Sequence, residues 1–234
     1  MPGAALLAAA ALWATPCPPL AHAATLPVRA AGSSLAADVD GDGRPELVQI
    51  RLEPTSPPRC GFFLVARRRR EWAVRVPESF AADDSTTSRW SLSEPYVALA
   101  VRIVPGRDAI LVVRHHGASV VFGSLYGVVD SRLVELRFPN PWTSVALYGS
   151  VGHYSMFDCR GPRTIMASGM GYLQGRRPYA VEQKLYRLRG SRFVQVHRWT
   201  TRLTPTAERR WARRWLDGKP FASCATAHSK IALS

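Results

Sequence analysis

Hydrophobic and polar residues interchange along most of this chain in short runs separated by glycine, proline, serine and arginine. In residues 184–188 and 193–197 this alternation would leave one face of a strand buried and the other in water. Runs bounded by such turn residues predict β-strands. Strands are predicted over residues 47–52, 61–66, 72–76, 96–104, 109–114, 120–126, 133–138, 164–167, 181–188 and 193–199.

The predicted strands are joined by short polar segments, so that most of them form hairpins. Residues 67–70, 105–108, 129–132 and 189–192 have the composition of hairpin turns. The predicted fold class is therefore all-β, with antiparallel hairpins in a partial-propeller-like or sandwich arrangement. Nine or ten strands are enough for a stack of two or three propeller-like blades, but too few for a closed seven-bladed propeller.

One helix is predicted, near the carboxyl terminus, over residues 206–216. Thr206 is the expected N-cap, and Glu208 in the first turn suits the positive end of the helix dipole. Trp211 and Trp215 are four residues apart, so both lie on one helical face that we expect to pack on a sheet.

The most specific chemical pattern is a run of acidic residues just before the strand at residues 47–52. Asp38, Asp40, Asp42 and Glu46 occupy positions 1, 3, 5 and 9 of a loop with a glycine at position 6. Alternating carboxylates in a tight loop can converge on one hard cation, and the backbone carbonyl of Arg44 at position 7 completes such an oxygen ligand set. An acidic surface turn that binds no metal is the alternative interpretation.

The loop differs from an EF-hand, because position 12 is Gln49 instead of a bidentate glutamate and a strand follows it. The pattern Asp-x-Asp-Gly-Asp-Gly-x-x-Glu before a strand resembles the calcium loops of FG-GAP/VCBS repeats, which occur in integrin-like β-propellers and many secreted bacterial proteins. Residues 106–113 resemble a second, degenerate repeat that has lost its calcium carboxylates. The resemblance implies a Ca²⁺ ion with the ligands Asp38, Asp40, Asp42, Arg44 (carbonyl) and Glu46.

The whole chain also resembles uncharacterised secreted actinobacterial proteins that carry one such loop near the amino terminus. The shared features are the loop itself, a Gly-Ser-Val-Gly-His segment at residues 149–153 and a Phe-Ala-Ser-Cys segment at residues 221–224. This resemblance implies a secreted protein with a calcium loop, and it implies no reaction.

Residues 1–24 read as a signal peptide, because an apolar run is followed by the small-x-small sequence Ala21-His22-Ala23. The run is too short to cross a bilayer, and we expect no transmembrane segment elsewhere. Residues 25–234 are then expected to form a single β-rich domain with an N-terminal calcium loop. The expected location is extracellular, and the expected state is a monomer.

Export favours a disulfide among the three cysteines that follow the predicted cleavage site, Cys60, Cys159 and Cys224. Three cysteines allow one intramolecular pair in three ways. We favour Cys159 with Cys224, because both lie in loop-like sequence, whereas Cys60 begins an apolar strand. No Cys/His cluster has the spacing of a zinc site.

The formal net charge is +14, from 31 basic and 17 acidic residues. Such a surface suits polyanions, and the four arginines of residues 67–70 are one candidate site. Only three of the basic residues are lysines, however, and a GC-rich coding bias produces the same arginine excess without selection for binding. A cell-surface polyanion or protein remains the candidate partner, and nucleic acid is not favoured.

Three functions are compatible with these features. A secreted, Ca²⁺-stabilised, non-catalytic binding or surface module is favoured. The alternatives are a protein that binds cell-wall polyanions or anionic lipid, and a secreted hydrolase acting around His153. The chain has no Gly-x-Ser-x-Gly nucleophile turn and no phosphate-binding glycine loop, so an enzyme is the less favoured interpretation.

Overall fold

Fourteen strands and one helix form in the part of the chain that the structure describes. A computed structural model describes residues 34–54, 60–77, 95–116, 121–139, 145–147, 154–173, 176–217 and 220–228. The strands are β1 (Ser34–Ala37), β2 (Glu46–Pro54), β3 (Cys60–Arg67), β4 (Glu71–Val76), β5 (Tyr96–Val104), β6 (Arg107–His116), β7 (Val121–Val129), β8 (Arg132–Leu136), β9 (Val145–Leu147), β10 (Tyr154–Cys159), β11 (Thr164–Leu173), β12 (Arg176–Arg189), β13 (Arg192–Arg202) and β14 (Ala225–His228), and the helix is α1 (Pro205–Asp217). The predicted signal peptide and His153 lie outside the described residues.

The strands form three antiparallel sheets. Sheet A has the order β1-β2-β3-β4, and sheet C has the order β10-β11-β12-β13. Sheet B has the order β14-β5-β6-β7-β8, with β9 also paired to β7; β5 to β9 lie between the other two sheets in the chain, and β14 follows both. The β3–β4, β5–β6, β7–β8 and β12–β13 hairpins form as their turn signals predicted, whereas β14 and β9 pair with strands that are not their neighbours in the chain. The all-β fold class with one short helix is confirmed.

Sheet B is the middle layer of the stack, because both of its faces are buried. Along β6, Ala109, Leu111 and Val113 pack in a core shared with sheet C. Ile110 and Val112 point the other way, into a core shared with sheet A. This run of consecutive apolar residues is what a strand covered on both faces requires, since successive side chains point to opposite sides.

The outer face of sheet C is covered by α1. Met170, Val181 and Leu203 form a small core against Ala207 and Trp211 of the helix. The predicted docking of the helix through Trp211 is therefore confirmed, whereas the side chain of Trp215 lies outside the described residues. Among the described residues, no helix is both long enough and apolar enough to cross a membrane.

The helix begins one residue earlier than predicted, and Thr206 is not its cap. The hydroxyl of Thr204 accepts a hydrogen bond from the Ala207 amide at 3.3 Å, and α1 begins at Pro205. Proline suits the first helical position because it has no amide hydrogen to leave unpaired. The prediction of Thr206 as N-cap was wrong because it overlooked this Thr-Pro start.

The favoured disulfide is present. Cys159 at the end of β10 is bonded to Cys224, which directly precedes β14, across 65 residues of chain. Next to it, the ring of Phe221 is fully buried in the core between sheets B and C, although its φ of 57° is one that bulky residues rarely adopt. Its amide donates to the carbonyl of Phe157 at 2.8 Å, so this turn is fixed to sheet C.

The loop between β1 and β2 and the five turns of the β3–β4, β5–β6, β7–β8, β10–β11 and β12–β13 hairpins meet at one end of the stack, which we call the turn end. Backbone hydrogen bonds join the sheets there. The Arg163 amide of sheet C donates to the carbonyl of Ile103 in sheet B at 2.6 Å, and within sheet C the Leu188 amide donates to the carbonyl of Arg163 at 2.7 Å. The turn end therefore brings together residues that are far apart in the sequence.

Candidate metal centre

The loop between β1 and β2, residues 38–45, is the metal loop. One carboxylate oxygen from each of Asp38, Asp40 and Asp42 lies within 4.8 Å of the other two. Ca²⁺ binds oxygen ligands at 2.3–2.6 Å, so oxygens up to about twice that distance apart can share one ion. The sequence spacing thus placed three of the predicted ligands together.

The backbone of the metal loop holds these carboxylates in place. Both oxygens of Asp38 accept loop amides, from Gly41 at 2.8 Å and from Gly43 at 3.0 Å. Asp40 accepts the Asp42 amide at 3.0 Å, and Asp42 accepts the Arg44 amide at 2.8 Å. The loop is therefore wrapped around its own aspartates, and a bound ion would need little further ordering of the backbone.

Glu46 is the most buried acidic residue of the set, with 1% of its surface exposed. Its Oε2 accepts a hydrogen bond from the amide of Val39 at 2.9 Å, so this side chain links the start of β2 to the start of the metal loop. Burial raises the pKa of Glu46, and the negative charges of the three aspartates raise it further. A cation in the loop would offset this repulsion. The roles of Glu46 and of the Arg44 carbonyl as metal ligands stay predictions.

The donor set fits a hard cation. It consists of oxygen atoms only, and it carries three converging negative charges that repel one another by about 1 kcal/mol per pair even in water. Part of that charge is balanced by Arg68 in the β3–β4 turn, whose Nη1 lies 3.0 Å from Oδ2 of Asp42. Ca²⁺ suits such a set better than Zn²⁺, which is held mainly by Cys and His.

The metal loop is attached to sheet B through Asp108, which the sequence pattern did not identify. Asp108 is 5% exposed, and its Oδ2 accepts the amide of Asp38 at 3.1 Å, while its own amide donates to the carbonyl of Asp38 at 2.7 Å. The other oxygen of Asp108 accepts Nε of Arg102 at 3.0 Å. The degenerate repeat at residues 106–113 thus supplies an anchor for the metal loop.

Close packing at Gly41 reinforces this attachment. With φ at 85°, a Cβ atom on Gly41 would lie 2.7 Å from Cγ of Arg107 and 3.1 Å from the carbonyl oxygen of Gly106. Only glycine fits without displacement of the β5–β6 turn. The metal loop and this turn therefore form one packed unit between sheets A and B.

A second polar cluster lies inside the stack, on strands β6, β7 and β8. Ser124 donates to Glu135 at 2.7 Å, and the guanidinium of Arg114 lies 4.0 Å from the same carboxylate. Burial, and then the charge of Glu135, raise the pKa of Tyr126, whose buried hydroxyl adjoins this cluster. These groups are enclosed, so the cluster has the character of core polar packing and not of an accessible catalytic site.

The hydrolase hypothesis receives no support from the described residues near its proposed centre. Asp158, the acidic residue closest in sequence to His153, accepts hydrogen bonds from the amide of Ser223 at 3.1 Å and from its hydroxyl at 2.5 Å. This carboxylate therefore fastens the disulfide-bearing turn to β10. The position of His153 is outside the described residues.

Comparison with protein-family models, with curated proteins and with solved structures finds no match for this chain.

Proposed function

We propose that this protein is an exported, non-catalytic β-sheet module whose metal loop binds Ca²⁺. The convergence of the three aspartate carboxylates carries the proposal. The disulfide supports export, since such bonds persist mainly outside the reducing cytosol. The signal-like sequence at residues 1–24 supports it as well.

The ion would act on the contact between two sheets. The metal loop belongs to sheet A. Its first aspartate, Asp38, donates its amide hydrogen to the Asp108 carboxylate of sheet B and accepts the Asp108 amide hydrogen at its own carbonyl. Neutralising the loop carboxylates would stabilise the backbone conformation that makes these bonds. Ca²⁺ is therefore proposed to fasten sheet A to sheet B, and its role is structural.

Calorimetric titration of the mature protein with CaCl₂ tests this proposal. We expect one site with a dissociation constant on the order of 10⁻⁴ to 10⁻³ M, as in other extracellular modules, and weaker binding of Mg²⁺, which demands stricter octahedral geometry. Asp40→Asn should weaken Ca²⁺ binding at least tenfold, because it removes a ligand charge while keeping the side-chain size.

The matched control is Asp130→Asn in the β7–β8 turn. Asp130 has a φ of 48°, which asparagine tolerates well, so the variant removes the same charge without backbone strain. It should bind Ca²⁺ like the wild type. Equal weakening in both variants, or no heat of binding in the wild type, would refute the metal site.

A further inference from the structure

The turn end carries a cleft of about 220 Å³ between sheets B and C. Its buried lining includes the apolar residues Ala109, Leu136 and Leu188 and the carboxylate of Asp108, which is paired with Arg102. Two arginines from different sheets line it, Arg107 of the β5–β6 hairpin and Arg163 of the β10–β11 turn. Both are exposed, and neither is ion-paired to a carboxylate within the described part of the chain.

Arg163 is held in place by the backbone. Its amide donates to the carbonyl of Ile103 in sheet B, and its carbonyl accepts the amide of Leu188 in its own sheet C. Its φ is 56°, a conformation that glycine adopts more easily than arginine does. The guanidinium is therefore presented from a fixed, strained position, which is a common property of binding residues.

The cleft lies within a larger basic surface. The β3–β4, β7–β8, β10–β11 and β12–β13 turns each carry or adjoin exposed arginines at the same end of the stack. These are Arg67, Arg69, Arg70, Arg132, Arg160, Arg189 and Arg192. A coding bias can account for the number of arginines, but the hairpin geometry determines that they meet here.

We infer that the turn end binds a linear polymer of phosphate groups, with one phosphate seated in the cleft between Arg107 and Arg163. A guanidinium offers paired donors that match phosphate oxygens, and arginines spread over several turns match repeated charges. Within the turns themselves, no large apolar side chain is exposed, and the exposed Leu47 lies beside them on β2. A membrane-inserting surface would carry large apolar side chains at its tips. This inference goes beyond the calcium proposal and does not depend on it.

The test is the affinity for inorganic polyphosphate of about ten units, measured by fluorescence anisotropy at low salt in EDTA, because Ca²⁺ would itself bind the polymer. Arg163→Gly should weaken binding at least tenfold, while the melting temperature stays equal or rises because glycine suits the backbone there. Arg107→Gln should also weaken binding, and it retains the Cγ that packs on Gly41. Monomeric phosphate should bind much more weakly than the polymer.

The matched control is Arg202→Gln. Arg202 is exposed at the far end of β13, about 30 Å along the strand from its turn. This variant removes one positive charge and should bind polyphosphate like the wild type. Asp130→Asn removes a negative charge that lines the cleft, so it should strengthen binding.

Three results would overturn the inference: equal weakening by Arg202→Gln and Arg163→Gly, no polyphosphate binding by the wild type, or binding to anionic vesicles without binding to polyphosphate. The failure of the calcium proposal is distinguishable from these. Asp40→Asn should lose Ca²⁺ affinity and keep polyphosphate affinity, whereas Arg163→Gly should show the opposite pattern.

Discussion

Removing the Cys159–Cys224 disulfide should lower the free energy of unfolding by about 4 kcal/mol at 25 °C. The bond closes 65 residues of chain, and the entropy that it removes from the unfolded state grows with the logarithm of that length. It also fastens the chain beside Phe221, whose buried ring packs between sheets B and C. Loss of the bond should therefore loosen β14 from the edge of sheet B as well.

Urea unfolding of Cys159→Ser/Cys224→Ser against the wild type measures this effect. Both cysteines are replaced so that neither partner of the bond is left as a free thiol that could pair elsewhere. Wild-type protein treated with a reductant is the control, and it should show a similar loss. A change of less than about 1 kcal/mol in both samples would mean that the packing of Phe221 holds the carboxyl-terminal turn without the bond.

Asp108→Ala should cost about 2–3 kcal/mol of stability and should also weaken Ca²⁺ binding. The substitution leaves the amide of Asp38 without its acceptor and removes the partner of Arg102. Hydrogen bonds to charged groups contribute about 1.5–3 kcal/mol each, and the side chain of Arg102 is 46% exposed, so solvent screening reduces its share.

Asp108→Asn is the matched variant, because its amide oxygen can still accept the Asp38 hydrogen bond. It should cost less than the alanine variant and leave Ca²⁺ affinity closer to the wild type. Chemical denaturation and calcium titration of the two variants check both effects. If the two substitutions are equally mild, Asp108 does not anchor the metal loop.

Local sequence patterns predicted those strands in which an apolar run is bounded on both sides by turn residues. The β3–β4, β5–β6, β7–β8 and β12–β13 hairpins formed where their patterns indicated, because neighbouring strands need only a short connection. The chain positions of the metal-loop aspartates also sufficed to predict that their side chains converge, since the loop is short and turns at glycines.

Some of the missed elements depend on partners that are distant in the chain, whereas the short strands β1 and β10, also missed, pair with the strand that follows each of them. β14 has only four residues and forms because it pairs with β5, which lies far earlier in the sequence. β11 extends to Leu173 through Gly169 and Gly171, residues that weaken a strand on their own. Its neighbours β10 and β12 supply hydrogen bonds on both sides, and this tertiary pairing overrides the weak local preference.

The same reasoning explains why Asp108 was not identified as part of the site. Its sequence lacks the acidic spacing of a metal loop, so the pattern at residues 106–113 indicated only a degenerate repeat. Its role arises from the packing of the β5–β6 turn on the metal loop, and a single sequence does not encode that contact in any local pattern. The cleft between sheets B and C also arises from the packing of turns that are distant in the sequence, so no local pattern predicts it.

Thermal unfolding of the mature protein in 10 mM CaCl₂ and in EDTA tests the central claim most directly. With a dissociation constant of 10⁻⁴ to 10⁻³ M, Ca²⁺ should stabilise the wild type by about 1.4–2.7 kcal/mol, which corresponds to about 3–10 °C in melting temperature. Asp40→Ala should show no such rise. An equal melting temperature for the wild type with and without Ca²⁺ would contradict the account, and the metal loop would then be an acidic turn held by its own hydrogen bonds.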